Sequence, residues 1–394
     1  MNVQPAQSLN VAEVRELFPF LKQGTCYLNH AAISPLSSKV TNAIKNRLDI
    51  RSLGSIEAFT HDKPIIDDCR VQIARLINAE SEERIAFVPN TSSGLNIIAN
   101  GVKWSPGDQI LIGDVEFPTN VYPFLNLRRL GVDVKLITND NGSVTAEMIE
   151  KATTPKTKLV SISTVQFLSG YRADMERIGE WCRRHDIWFV VDGIQAVGAI
   201  ELDVVASHVD ALCAGSHKWQ MGPQGLGFLY VNKRMQDAIR PSNAGWLSVT
   251  APWELLDYNL EFLPTAMRYE LGTMNANGIV GYHAALKLLN EIGIRNIQQR
   301  ILDLTSRILS EFSHWDDIRI LTPNDDHHRA GIVTLDLPEM VDPDGLMENL
   351  SKENIVVAIR NGMLRLSPHF YNTEQEVDHS VSIISDLLRK KGVK

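Results

Sequence analysis

The chain has 394 residues, of which 44% are apolar and 22% charged; this length suits two domains with a deep core, and the composition excludes disordered and fibrous classes. Lysine and arginine total 39 against 47 aspartates and glutamates, a net charge of -8 that disfavours nonspecific attraction to nucleic acid. Cys26, Cys69, Cys182 and Cys213 have no paired short spacing, so neither a zinc cluster nor a disulfide framework is expected, and a reducing compartment fits.

Residues 1–20 read as an arm leading into a short helix that packs with the small domain. MNVQPAQSLNVAEVRELF lacks a basic segment followed by an apolar core, so no signal peptide, no membrane association and a cytoplasmic location are expected. TCYLNHAAISPLS gives a brief strand and a turn around Asn29 and Pro35. Apolar positions at three- and four-residue spacing predict helices over 37–53 and 64–78. Strands and helices then alternate: the strand RIAFVPN, the helix TSSGLNIIANGV, the strands DQILIGD, GVDVKLIT and KTKLVSISTVQ, the helix MERIGEWCRRHD and the strand IWFVVDG. That order predicts an α/β protein with a mainly parallel sheet between helices, the large domain spanning 21–259. Near 245–265 the rhythm breaks. A long helix in GTMNANGIVGYHAALKLLNEIG, the segments AGIVTLDL, DGLMENLSKE and NIVVAIRNGMLRLSP, and a final amphipathic helix make a smaller α/β domain over 260–394 with an antiparallel sheet.

Ligands of open α/β sheets collect beyond the C-terminal strand ends. Thr91 to Ser93, 114–120, Gln166, Asp192 and Lys218 all follow strand-like runs, so one site can use them together. Lys218 sits in GSHKWQMGPQGLG, a compact frame in which an amine can be desolvated and made nucleophilic. By spacing alone, a structural and a reactive lysine both remain open. Asp192 closes IWFVVDG, where it either caps a turn or holds a protonated pyridine nitrogen. NTSSGLN offers helix-opening N–H groups and hydroxyls for a phosphate, or simply a helix cap.

Asp192, Gly193 and Gln195, followed by GSHKW and GPQGLGF, resemble the cofactor-binding core of the class V aminotransferase family. These are pyridoxal-phosphate enzymes of fold type I that include cysteine desulfurases, kynureninase and isopenicillin N epimerase-like proteins. Supporting segments run from YLNHAA at 27 to YNTEQEVD at 371. The resemblance implies pyridoxal phosphate bound by Lys218 as the internal aldimine lysine, which later moves the substrate's α proton through a quinonoid. It implies Asp192 at the pyridine nitrogen, and Thr91, Ser92 and Ser216 or His217 at the phosphate. Gln195 falls near either the phenolic oxygen or the phosphate side of the cofactor, and Gln166 near that oxygen. Phe117 stands where desulfurases have a histidine and is expected to stack on the ring. Arg365 is the expected α-carboxylate clamp, Arg360 the second choice, and Asn29 a further substrate contact. Thr273 implies a homodimer whose sites are completed across the interface. No metal ligand is expected; His327 and His328 read as a polar loop.

The reaction is less determined. The cofactor permits transamination, racemisation and β- or γ-elimination. Family desulfurases carry a persulfide-forming cysteine just before the clamp arginine, where this chain has only RNGMLR. Transamination of an amino acid is therefore the leading expectation, with epimerase or cysteine lyase chemistry as the alternative. A noncatalytic cofactor-binding protein would leave Lys218 and Arg365 unexplained. A dinucleotide oxidoreductase would carry G-x-G-x-x-G after its first strand, which this chain lacks.

Overall fold

Apolar runs in the middle of the chain build a seven-stranded sheet. After the two-residue strand β1 (Cys26–Tyr27), its strands are β2 (Ile85–Val88), β3 (Gln109–Gly113), β4 (Asp133–Ile137), β5 (Thr157–Ser163), β6 (Trp188–Asp192), β7 (Ala211–Gly215) and β8 (Gly227–Val231). The computed structural model describes residues 9–54, 56–57 and 59–394, so the beginning of the expected arm, 1–8, lies outside the described residues. The strand order is β2-β8-β7-β6-β5-β3-β4. Strands β4, β3, β5, β6 and β7 are parallel, and β8 runs against both β7 and β2. β2 therefore points the same way as the parallel set, and every strand but β8 ends at one edge.

Both faces of the sheet are covered, which is why its strands read as continuous apolar runs. In β6, Phe189 and Val191 join one core with Leu111, Ile162 and Leu212, while Val190 joins the opposite core with Ile110, Ile112, Leu159 and Cys213. Each such fully buried branched side chain contributes about 1.5–3 kcal/mol. The helices α1 (Val11–Arg15), α2 (Ser38–Leu53), α3 (Phe59–Leu76) and α4 (Thr91–Gly101) precede or interrupt these strands. α3 begins upstream of Pro64 rather than at it, because the polar first residues carry no apolar period to read. The long helix Ala276–Ile292 packs on α2 and α3, placing Ile279, Tyr282 and Leu286 in the main-sheet core although it lies beyond residue 259.

The later chain forms a four-stranded antiparallel sheet from β9 (Arg319–Ile320), β10 (Val333–Asp336), β12 (Ala358–Arg360) and β13 (Met363–Leu366), in the order β12-β13-β10-β9. β11 (Ile355–Val356) pairs in parallel with β1. Arg15 in α1 donates 2.8 Å to Glu376 and 2.9 Å to the Tyr371 carbonyl, fastening the early chain to the C-terminal segment. Residues 245–265 form no regular strand, only an isolated bridge between Val249 and Phe262.

Candidate active site

The lysine loop follows β7 and is fastened on both sides of Lys218. The Ser216 hydroxyl donates to the Pro223 carbonyl, with the Leu226 carbonyl 3.0 Å away, so this serine braces its own loop instead of facing a phosphate. Gly222 permits that closure, since a Cβ there would lie 2.7 Å from Ser216 Cβ. Trp219 is fully buried and donates 2.8 Å to Gln195 Oε1, while Gln195 Nε2 donates 3.1 Å to the Ala31 carbonyl. His369 Nε2 meets the Trp219 carbonyl at 3.0 Å. Lys218 Nζ makes no hydrogen bond among the described residues and lies 5.6 Å from the centre of the Phe117 ring.

One cavity of about 300 Å³ gathers Lys218, Asp192, Thr91, Ser92, Phe117, Gln195, His217, Arg360 and Arg365. Four expected residues do not line it. Gln166 is buried beside it, donating 2.6 Å to Glu116 with its own Oε1 unpartnered. Asn29 bridges to Ser367 and leaves its Oδ1 without a partner. Ser216 is committed to its loop. Thr273 is exposed on the wall of a neighbouring cavity of about 730 Å³, which shares Asn90 and Ser92 with the first.

Burial governs the charges. It raises Asp192, with Glu116 adding to the effect and the Ile194 N–H and Lys218 opposing it. It lowers Lys218, with Asp192 opposing and Arg365 and Arg360 adding. It lowers Arg365 to about 10, with Arg360 adding, and it lowers His217, with Lys218 adding. Two features escape the sequence reading. Glu116 is a buried carboxylate that receives Asn120 from its own loop and Ser163 and Gln166 from the end of β5 and the residues after it. Phe167 packs edge-on against Phe117 at 5.2 Å, and its carbonyl accepts from Arg365.

The polar groups left over fit pyridoxal phosphate. Asp192 is fully buried yet has one protein donor, Ile194 N–H at 3.0 Å, so it retains acceptor capacity for a ring N–H. Asn90 caps α4 through Ser93 N–H at 2.9 Å, which leaves the preceding N–H groups available to an anion together with the Thr91 hydroxyl and the Ser92 hydroxyl, the latter sharing one hydrogen bond with Thr119 at 3.0 Å. Thr91 accepts from Gly215 N–H at 3.0 Å and keeps its own proton to donate. A desolvated lysine beside them suits covalent attachment to an aldehyde.

Fold and cofactor chemistry together define a pyridoxal-phosphate enzyme of fold type I. The sequence matches the aminotransferase class-V family over residues 26–379, and the chain belongs to that family. It is 31% identical over 400 residues to a probable cysteine desulfurase of Pyrococcus abyssi, covering 96% of this chain and 97% of the relative. It is 27% identical over 376 residues to the uncharacterized aminotransferase YcbU of Bacillus subtilis, covering 95% and 97%. In fold it resembles a cystine C–S lyase solved with its product cysteine persulfide, with a TM-score of 0.86, 24% identity, and 94% and 99% of the two chains covered. Among the described residues, no helix is long and apolar enough to cross a membrane, and no cluster of potential ligands suits a metal ion.

Proposed function

We propose that this enzyme transaminates an amino acid. The observation that carries the reading is the convergence of Lys218, Asp192 and Arg365 on one cavity. Bound pyridoxal phosphate supplies an electron sink for charge developing at the substrate's α carbon. Lys218 holds the cofactor, and its amine, whose charged form burial disfavours, takes the α proton. Asp192 holds the ring nitrogen, while Thr91, Ser92 and the start of α4 hold the phosphate. Phe117 covers the ring and excludes water; Gln166, Gln195 and His217 fix its surroundings. Arg365 grips the α-carboxylate, for which its unpartnered Nε is suited. The remaining parts of the reading are a cofactor-binding unit over 21–259, a small unit over 260–394 whose helix Ala276–Ile292 packs into the core of the first, a homodimer and a cytoplasmic location.

A persulfide relay is disfavoured. All four cysteines are buried, burial raises each thiol, Cys26 to about 12, and none lines the cavity. Cysteine lyase or epimerase chemistry is the second reading, favoured by a site whose lining holds no thiol.

The test uses purified protein loaded with pyridoxal phosphate and freed of excess cofactor, incubated with single L-amino acids and no acceptor. Transamination yields up to one equivalent of the matching keto acid per site. Pyruvate and sulfide from cysteine in excess of enzyme, or inversion at the α carbon without keto acid, overturns it in favour of lyase or epimerase chemistry.

A further inference from the structure

The hairpin of β12 and β13 presents two cations to the cavity, and neither has an ion-pair partner among the described residues. Its register sets Ala358 opposite Arg365 and Arg360 opposite Met363. Cross-strand partners share a face, as do residues two apart, so Arg360 and Arg365 stand diagonally on one face. The turn between them is Asn361–Gly362, with φ of 51° and 80°. This two-residue connection matches strand twist and fixes the register.

Both arginines line the cavity that holds Lys218, and the sole carboxylate among the cavity's lining residues is Asp192. Arg365 is buried, donates one N–H to the Phe167 carbonyl at 2.7 Å and leaves its Nε unpartnered. Arg360 is half-buried and donates 2.8 Å to the carbonyl of its neighbour Ile359. Neither forms an ion pair among the described residues. Desolvated cations without counter-ions are unfavourable, and Asp192 is already matched to the cofactor's ring nitrogen. The phosphate has its own seat at α4, and an ordinary amino acid brings one carboxylate to two guanidiniums.

We propose that the substrate is an amino acid with a second carboxylate on its side chain, its α-carboxylate held by Arg365 and its side-chain carboxylate by Arg360. The proposal rests on the amino-acid reading above. Arg365 is the more deeply set and is anchored on Phe167, as a clamp for an invariant group should be. Arg360 is the less buried and can follow a side chain of variable length.

The test measures dissociation constants from the change in absorbance of the cofactor-loaded enzyme, pairing L-aspartate with L-asparagine and L-glutamate with L-glutamine. At least one acid should bind about 10-fold or more tighter than its amide, the scale of one charge-assisted contact. Arg360→Gln should bring that ratio toward one, with Arg360→Lys restoring part of it. Arg365→Gln should weaken acid and amide together and keep the ratio. Equal binding of acid and amide by the unaltered enzyme, or equal weakening of both by Arg360→Gln, overturns the proposal while leaving the amino-acid reading intact. No response to any amino acid brings down both.

Discussion

Lys218 has its neighbours pinned and its amine left free, an arrangement suited to a group that must form and break a bond. Burial disfavours its ammonium form, so the reactive amine is present at lower pH than for an exposed lysine. The Asp192 carboxylate works in the opposite direction. The rate at which apoprotein captures pyridoxal phosphate, followed by absorbance against pH, should therefore rise with a midpoint below the ordinary lysine value of 10.5. Asp192→Asn should move that midpoint further down, and a shift upward would contradict the assignment. Lys218→Ala should lower turnover at least about 10³-fold and abolish cofactor absorbance that survives gel filtration.

At this scale the sequence is informative about residue type and place, and silent about commitments made through space. Asp192 and Lys218 stand out because each ends an apolar run of a parallel sheet. Ser216 looks equally available in GSHKW, yet its hydroxyl is taken by carbonyls of its own loop. Gln195 lines the cavity, but both ends of its amide are engaged by Trp219 and Ala31. The stretch 114–120 is placed at the site by its position after a strand, but a role for Glu116 within it is not legible, because two of its three donors come from residues 163 and 166, far away in sequence. Its one signal is an acid set between a strand and Phe117 with no basic neighbour.

Among the elements, α4 carries the residues proposed to hold the phosphate. It lies so close to β7 that a Cβ on Gly94 would fall 2.7 Å from Cys213 Sγ and 3.2 Å from Cys213 Cβ. Gly94→Ala should push the helix off the sheet, destabilising the protein by about 1–3 kcal/mol and moving Thr91 and Ser92 away from the phosphate. Cys213→Ala in the same chain removes the nearer contact and should restore part of both losses. Denaturant unfolding and equilibrium dialysis of pyridoxal phosphate measure the two effects separately; unchanged affinity in Gly94→Ala would show that α4 does not seat the phosphate. The helix was legible from its hydroxyl-rich opening and apolar spacing. NIVVAIRNGMLRLSP is less legible: it reads as one apolar run but divides into β11, β12 and β13, because pairing with β1 at one end and a hairpin turn at Asn361–Gly362 at the other act on the same segment.

The whole chain leaves Thr273 outside the cavity of Lys218, on an adjoining apolar cavity that shares Asn90 and Ser92 with it. The irregular segment nearby exposes Leu255, Leu256, Tyr258 and Leu260, with Tyr258 at 89%, apolar surface of the kind that association covers. A homodimer that delivers Thr273 from the neighbouring subunit accounts for both features. Light scattering should then give twice 44.0 kDa. Mixing Lys218→Ala and Thr273→Ala subunits distinguishes delivery across the interface from action within one subunit. Each variant alone binds pyridoxal phosphate poorly. If Thr273 acts across the interface, one site of each mixed dimer combines an intact Lys218 with an intact Thr273, and tight cofactor binding returns at up to half of the mixed-dimer sites. If Thr273 acts within its own subunit, every site lacks one of the two and mixing restores nothing. A monomeric mass would remove Thr273 from the site and leave the apolar segment to another partner.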